Sequence, residues 1–330
     1  MPEIITFGEA LIDFVAAEAG HTLSEAVHFQ KAAGGAPLNT AVGLARLGAH
    51  CGFMGQVGAD PFGSFLAETL QGAGVDTALL KFSQRARTGL AFVSLTPEGE
   101  RDFSFFRHPS ADMLFSPEDI PASCFQKVRI FHFGSISAIQ EPSRSATLRA
   151  LRLADEGELL CSFDPNLRLN LWPDPETARE TILSLANSAQ IIKLSQEELA
   201  FLSGHTASEI SRREDLEAGV RRLWHDHLQL LVVTLGPSGC AGFTREESIF
   251  LPGFSVPTVD TTGAGDGFMA GLLFQLSRSN SLPDILSSPQ GLEQALQFAN
   301  AAGALTTTRR GAVPALPDYQ AVHSLLSSRE

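Results

Sequence analysis

The sequence predicts an α/β protein built on a doubly wound, mostly parallel sheet with helices on both faces. Short apolar segments alternate along the chain with amphipathic stretches, and several of them are nearly continuous in Val, Ile, Leu and Phe. Strands that are covered on both faces have this composition. Six segments are predicted as strands, namely residues 4–7, 51–57, 128–134, 159–165, 190–194 and 228–236.

Helical stretches separate most of these strands, for example residues 61–74 and 142–157. This order favours a sheet whose ligands bind outside the carboxyl ends of the strands. Residues 11–31 and 88–107 are strand-like without a long helix, and TPEGE at 96–100 is predicted as a hairpin turn. We therefore expect a small β-sheet inserted into the main domain.

Composition limits the class of protein. With 330 residues, of which 44% are hydrophobic, the chain can bury the core of one large α/β domain or of two domains. No run approaches the ~20 apolar residues of a membrane span, and the N-terminus MPEIITFGEA lacks a basic region followed by an apolar stretch. We expect a soluble, cytoplasmic protein with no membrane partner.

Charge and cysteine usage exclude two further classes. A net charge of −13, with only four lysines, argues against a nucleic-acid partner. The four cysteines are widely separated and lack the paired spacing that binds zinc. We expect them to be free thiols, most of them buried.

The segment DTTGAGDGFMAG at 260–271 is the most informative motif. Gly263, Ala264 and Gly265 carry little side-chain bulk, so their backbone N–H groups can close on an anion, and the start of the following helix favours a phosphate. Asp266 would weaken phosphate binding unless it takes a proton from an attacking nucleophile. The loop predicts phosphoryl transfer with Asp266 as the base, although an aspartate here is also typical of a helix cap.

A second glycine motif lies at residues 32–48, AAGGAPLNTAVGLARLG. Pro37 suits the first turn of a helix, and apolar residues follow at spacings of three and four. Gly34 and Gly35 let a ligand approach the backbone, while Asn39 offers a donor and an acceptor. This corner suits a polyol, but a plain strand-to-helix turn has the same residues.

Two other phosphate-binding motifs can be tested directly. No Gly-Lys pair occurs in the chain, which excludes a P-loop. The glycines also do not form a GxGxxG after the first strand with an acidic residue about 20 positions later, so a nicotinamide site is disfavoured.

Together these motifs resemble the ribokinase family of carbohydrate kinases, also called the PfkB family, and within it the fructokinase branch. The resemblance extends along nearly the whole chain and includes both glycine motifs in the expected order. Other matching segments are FGEALIDF at 7–14, GQVGADPFG at 55–63, TGLAFVSL at 88–95, GERDFSFFRHPSADM at 99–113, DPNLR at 164–168, KLSQEE at 193–198, TLGPSG at 234–239 and FANAAGALTTTRRGA at 298–312.

The resemblance implies a ribokinase-like fold in which residues 11–31 and 88–107 form a β lid, and residues 1–10, 32–87 and 108–330 form the main domain. It implies that Asp266 is the catalytic base and that Gly263, Ala264 and Gly265 form an anion hole. The residues that it assigns to sugar binding are Asp13, Gly34, Gly35, Asn39, Arg107 and Arg168.

The resemblance also assigns the nucleotide and metal sites. ATP contacts are expected from Lys193, Glu198, Thr234, Gly236, Asn300 and Gly303. Glu198 matches the glutamate of an N-x-x-E motif that organises Mg²⁺ largely through water, although Ser195 replaces the asparagine. A monovalent cation, K⁺, is expected beside Asp260, Thr262, Thr306, Arg309 and Gly311.

The function that this resemblance implies is ATP-dependent phosphorylation of fructose to fructose 6-phosphate. Three related substrates remain open, namely ribose, 2-keto-3-deoxygluconate and an aminoimidazole riboside. A sugar-binding regulator without turnover is the alternative from another class, since fold alone does not set function. By analogy, a homodimer formed through the lid is also compatible with the family.

Overall fold

Two sheets form the framework of the protein, which is described from a computed structural model covering residues 2–18, 20–95, 101–210, 212–278, 285–286 and 288–328. The strands within these ranges are β1 (Ile4–Phe7), β2 (Leu11–Ala16), β3 (Phe29–Gly34), β4 (Cys51–Gly58), β5 (Leu80–Ser83), β6 (Gly89–Leu95), β7 (Arg101–Phe106), β8 (Ile130–Phe133), β9 (Leu160–Phe163), β10 (Ile191–Ser195), β11 (Leu230–Thr234), β12 (Cys240–Phe243) and β13 (Ser248–Leu251).

The main sheet has the strand order β13-β12-β11-β10-β9-β8-β1-β4-β5. Neighbouring strands from β5 to β11 pair in parallel, whereas β11, β12 and β13 pair antiparallel at one edge. All six predicted strands occur in this sheet within a few residues of their predicted ends. The short strand β5 and the antiparallel edge pair were not predicted.

Helices cover both faces of the main sheet. They are α1 (Ala36–Leu47), α2 (Pro61–Gly72), α3 (Ser143–Glu156), α4 (Pro175–Ala186), α5 (Gln196–Ser203), α6 (Arg213–Leu223), α7 (Ala264–Arg278), α8 (Pro289–Thr306), α9 (Ala312–Ala315) and α10 (Tyr319–Ser327). None of these described helices combines the length and the hydropathy that crossing a bilayer requires.

Adjacent residues of β1 show that the sheet is covered twice. Ile4 belongs to a core shared with α1, α2, α7 and α8, while Ile5 belongs to a second core shared with α3, α4, α5 and α6. Both side chains are fully buried. Because successive side chains of a strand point to opposite faces, each face of the sheet is covered by helices. The predicted doubly wound α/β class is therefore confirmed.

The second sheet is small and has the order β3-β2-β6-β7. Strand β2 pairs antiparallel with β3 and parallel with β6, and β6 pairs antiparallel with β7. The rings of Phe14, Phe29 and Phe106 surround Phe92 at centroid distances of 5.1, 5.3 and 5.4 Å. The turn predicted at 96–100 lies outside the described residues, and the division of the chain into lid and main domain stays a prediction.

Helices α1 and α7 cross closely. A Cβ atom added at Gly43 would lie 2.6 Å from the Cβ of Ala270, so the absence of a side chain at Gly43 sets the separation of the helices. Asn39 and Asp266 lie one helical turn before these two residues, four positions earlier in each helix. The close crossing therefore brings two predicted site residues together.

We predict that Gly43→Ala lowers the free energy of unfolding by about 1–3 kcal/mol, because the added methyl group overpacks the crossing. Gly72→Ala is the matched control, since Gly72 is an exposed helical glycine with no atom within 4 Å of an added Cβ. The control should gain up to about 1 kcal/mol. Urea denaturation measures both changes.

A double-mutant cycle tests the cause of the loss. In an Ala270→Gly background the penalty of Gly43→Ala should shrink by at least about 1 kcal/mol, because the facing methyl group is gone. An equal penalty in both backgrounds would show that the two residues do not limit the crossing.

Candidate active site

Asp266 lies in the first turn of α7 and is partly buried. The preceding Gly263 has φ 78°, and an added Cβ there would lie 2.5 Å from the Cβ of Ala312. At Gly265 an added Cβ would lie 2.8 Å from Nζ of Lys193. The loop is thus closed by residues from other elements that leave no room for larger side chains.

The start of α7 provides donors for an anion. The first N–H groups of a helix have no partner inside the helix, and the helix dipole adds positive potential there. The Ala264 N–H already donates to the carbonyl of Thr261 at 3.3 Å. The N–H groups of Gly265 and Asp266 are therefore the better-placed donors of the predicted anion hole.

A hydrogen bond joins this loop to the second glycine motif. Nδ2 of Asn39, in α1, donates to Oδ2 of Asp266 at 2.7 Å. Oδ1 of Asn39 is buried and has no partner among the described residues. A buried acceptor without a donor is costly, so this oxygen is suited to receive a ligand hydroxyl beside Asp266.

Asp13, Gly34 and Gly35 form a corner next to Asn39. An added Cβ at Gly34 would overlap the carboxylate of Asp13, which therefore lies directly over that glycine. Gly35 has φ 107° and comes immediately before α1. The corner combines a carboxylate with two glycines that carry no side chain, and carboxylate and backbone groups can both bind hydroxyl groups.

The environment of Asp266 holds its pKa near the physiological range. Burial raises the pKa, the hydrogen bond from Asn39 lowers it, and the charge of Asp164 raises it again. Lys193 and Arg168 act in the lowering direction, and the resulting pKa is about 6. A carboxylate with such a pKa is deprotonated at pH 7 and still basic enough to accept a proton.

Lys193 forms a buried ion pair that the sequence analysis missed. Its Nζ lies 2.8 Å from Oδ2 of Asp164, and both side chains are almost fully buried. Burial alone would lower the lysine pKa, but the charges of Asp164 and Glu198 raise it above its ordinary value. The lysine beside the glycine loop is therefore a permanent cation.

Glu198 holds two segments together. One carboxylate oxygen accepts from the Leu167 N–H at 2.8 Å and the other from the Ser195 N–H at 2.7 Å. Ser195 in turn caps α5 by accepting from the Glu198 N–H. Serine replaces the expected asparagine here and acts as the helix cap.

The two predicted sugar-binding arginines occupy different environments. Arg107 is buried and pairs with Asp112, and its Nε has no partner among the described residues. Arg168 is partly exposed, donates to the carbonyl of Leu167 at 3.1 Å, and lies near enough to Asp266 to lower its pKa. Of the two arginines, Arg168 is the one whose charge lowers the pKa of Asp266. Sugar binding by either arginine stays a prediction.

Of the remaining predicted nucleotide residues, Thr234 ends β11 and Gly236 follows it, whereas the other two lie within α8. Thr234 donates to the carbonyl of Leu194 at 3.3 Å, and Gly236 follows with φ 55°. Asn300, in α8, donates to the carbonyl of Pro252 at 3.0 Å. An added Cβ at Gly303 would lie 3.1 Å from the Ala264 carbonyl, so this part of α8 borders the glycine loop.

Asp260 connects the predicted cation-binding segments. Oδ1 accepts from the N–H and hydroxyl of Thr262 at 2.9 and 2.6 Å, and Oδ2 accepts from the Gly311 N–H at 2.8 Å. The N–H of Asp260 also donates to the Thr307 carbonyl at 3.1 Å. Thr306 is fully buried and donates to the Ala302 carbonyl, while Arg309 is exposed.

Two acidic residues missed by the sequence analysis follow strands of the main sheet. Asp164 comes directly after β9, and Glu9 lies two residues after β1. Both are buried, and the rule that ligands bind beyond the carboxyl ends of parallel strands would have selected them. Among the described residues, no cluster of three or more His, Cys, Asp or Glu side chains could hold a metal ion by itself.

The chain is similar to known carbohydrate kinases along nearly its whole length. The probable fructokinase-7 of Arabidopsis thaliana is 48% identical over 325 residues, which cover 98% of this chain and 92% of that protein. The structure of a fructokinase from Xylella fastidiosa with bound ATP superposes with a TM-score of 0.89 at 36% identity, covering 100% of this chain and 99% of that chain.

A double mutant of the fructokinase from Vibrio cholerae O395, in a form with bound fructose, ADP and potassium ion, gives a TM-score of 0.85 at 36% identity. It covers 99% of this chain and 98% of that chain. The family model described as pfkB family carbohydrate kinase matches residues 1–318. The chain therefore belongs to the pfkB family of carbohydrate kinases.

Proposed function

We propose that this protein is an ATP-dependent fructokinase that converts fructose to fructose 6-phosphate. The observation that carries the proposal is the hydrogen bond of Asn39 to the partly buried Asp266, which joins a corner suited to a polyol to a helix start suited to an anion. The similarity to fructokinases over nearly the whole chain supports the choice of sugar.

The positions of these groups support the following transfer step. A sugar hydroxyl bound beside Asn39 gives its proton to Asp266 as its oxygen forms a bond to the γ-phosphorus of ATP. The bond between that phosphorus and the bridging oxygen breaks, and ADP leaves. The N–H groups of Gly265 and Asp266, together with the Lys193 ammonium, stabilise the charge on the transferred group.

Mg²⁺ fits the acidic residues near Lys193. Each oxygen of Glu198 accepts one backbone N–H and keeps lone-pair capacity for a metal-bound water. Oδ1 of Asp164 accepts only a weak bond from the Asn166 N–H at 3.3 Å. Glu198 and Asp164 would hold the ion with the ATP phosphates, whose negative charge it would partly neutralise.

A monovalent cation fits the segments joined by Asp260. The carboxylate and the backbone carbonyls near Thr306, Arg309 and Gly311 are oxygen donors, which a hard cation prefers. The hydroxyl of Thr262, two residues from Asp260, donates a hydrogen bond to the Asp260 carboxylate. The proposed role of K⁺ is to hold the loop that leads into the glycine motif in place.

The proposal also includes the oligomeric state of the protein and its location in the cell. A homodimer formed through the small sheet, which exposes 61% of Phe106, is included by analogy with the family. The buried free thiols of Cys51, Cys161 and Cys240 suit the reducing environment of the cytoplasm.

The sugar specificity is tested by measuring ADP release with fructose, ribose, 2-keto-3-deoxygluconate and an aminoimidazole riboside, each with Na⁺ or K⁺. We expect the highest kcat/KM with fructose and a further increase with K⁺. A higher kcat/KM with another acceptor would replace the sugar in the proposal. If the protein binds a sugar but releases no ADP from ATP with any of these acceptors, it would instead be a regulator.

We predict that Asp266→Asn lowers kcat by about 10²–10⁴-fold, the usual contribution of a positioned proton acceptor. The amide keeps the size of the side chain, so the KM for ATP and the melting temperature should change little. Near-normal turnover in this variant would exclude Asp266 as the base.

The pH profile tests the same residue in the unmodified protein. The active form is the carboxylate, and because the pKa of Asp266 is about 6, kcat/KM for the sugar should be constant well above that pH. Below it, kcat/KM should fall about tenfold per pH unit as the base is protonated. Circular dichroism at each pH is the control for unfolding, and a midpoint near 4 would show that burial does not perturb the base.

A further inference from the structure

Glu9 is a buried carboxyl group that the proposed reaction leaves without a role. It lies between β1 and β2, and its Oε1 accepts the N–H of Ala36, the first residue of α1, at 3.2 Å. The carbonyl oxygen of Glu9 also lies against Gly35, where an added Cβ would overlap it. Glu9 therefore contacts the corner of Asp13, Gly34 and Gly35 and the start of α1 through both its side chain and its backbone.

Two further charged groups act on Glu9. Arg107 directly follows β7 of the small sheet, and its charge opposes the effect of burial on the pKa of Glu9. Asp112 pairs with Arg107 and acts on Glu9 in the opposite direction. Glu9, Arg107 and Asp112 thus form one buried cluster where the main sheet, the small sheet and α1 meet.

The protonation state of Glu9 determines which variant is conservative. Burial raises the pKa of Glu9, the charge of Arg107 lowers it, and the result is about 7. Near neutral pH both the charged and the neutral carboxyl are populated, and either can accept the Ala36 N–H. Glutamine reproduces the neutral form, because its side-chain carbonyl is an acceptor of the same reach.

A chain of hydrogen bonds leads from Glu9 to the base. Glu9 holds the N–H of Ala36, the neighbouring Gly35 carbonyl accepts the Asn39 N–H at 2.9 Å, and the Asn39 amide donates to Asp266 at 2.7 Å. The start of a helix has N–H groups that need such outside partners. Removing the acceptor at Glu9 would leave a buried N–H unpaired at the point where the corner is formed.

We propose that Glu9 is a positioning residue for sugar phosphorylation, and that its carboxyl oxygen fixes the start of α1 and with it Gly34, Gly35 and Asn39. This inference rests on the proposed function. Glu9 touches no reacting atom and acts through the backbone of the corner.

The experiment compares Glu9→Ala with Glu9→Gln. Glu9→Ala should raise the KM for fructose by about tenfold or more, the effect expected when a buried N–H loses its acceptor. The KM for ATP should stay within about twofold, because the nucleotide residues lie on other elements, and Glu9→Gln should stay within about threefold of the wild type for both substrates.

Asp174→Ala is the matched control. Asp174 accepts the Thr177 N–H at 2.8 Å and caps α4, which carries none of the residues assigned to the site. This variant loses a helix-start hydrogen bond of the same kind, so it should lower the melting temperature and leave the KM for fructose unchanged.

Amide hydrogen exchange of residues 33–40 gives a readout that does not need turnover. Exchange should accelerate in Glu9→Ala and match the wild type in Glu9→Gln. If Glu9→Ala does not fold, Ala36→Pro removes the donor instead and should raise the KM for fructose similarly, since proline is tolerated at the first helical position.

The two proposals fail in different ways. A wild-type protein that forms no sugar phosphate from ATP contradicts the proposed function, whereas the exchange measurement still tests Glu9. Unchanged exchange together with an unchanged KM for fructose in Glu9→Ala would overturn the positioning role. Equal defects in Glu9→Gln and Glu9→Ala would overturn the claim that an uncharged acceptor is sufficient.

Discussion

The hydrogen bond between Asn39 and Asp266 joins residues 227 positions apart, and the rest of the site is arranged around it. It forms because α1 and α7 can approach at Gly43 and Ala270, one turn further along each helix. Helix α7 is held in turn by α8, since an added Cβ at Gly271 would lie 2.9 Å from the Cα of Ala299. Packing of small residues one helical turn from Asn39 and Asp266 therefore sets the geometry of the proposed base.

The electrostatics of the site follow from the same arrangement. Burial is the largest influence on the pKa of Asp266 and raises it, and the hydrogen bond from the Asn39 amide is the largest opposing influence. Lys193 lies beside the glycine loop, but Asp164 largely neutralises its charge within the protein. The site thus has no excess positive charge of its own, and the proposed Mg²⁺ would supply the charge that offsets the phosphates of ATP.

The sequence predicted those features that depend on local pattern. Continuous apolar runs such as 51–57 identified the central strands, and the small residues at 263–265 identified the start of α7. Strand β5 was missed because it exposes Phe82, and β12 and β13 were missed because short antiparallel edge strands have no crossover helix between them. Asp164 and Glu9 lie at or near the ends of predicted strands and could have been selected by position, but their partners Lys193 and Ala36 come from other segments and could not be predicted.

Residues 4–47 contribute both to the small sheet and to the corner of Asp13, Gly34 and Gly35, and the connectivity of the chain explains why. Strand β1 of the main sheet leads through Glu9 into β2, and β3 returns directly into α1. The register pairs Leu11 with Gly34 and Asp13 with Ala32, so the carboxylate and the glycines of the corner are fixed to each other by sheet hydrogen bonds. Asn39 belongs to the next turn and is fixed to Asp266 by helix packing. The corner of Asp13, Gly34 and Gly35 therefore lies where the small sheet meets α1 and α7, and the sugar that we propose to bind there would contact both parts at once.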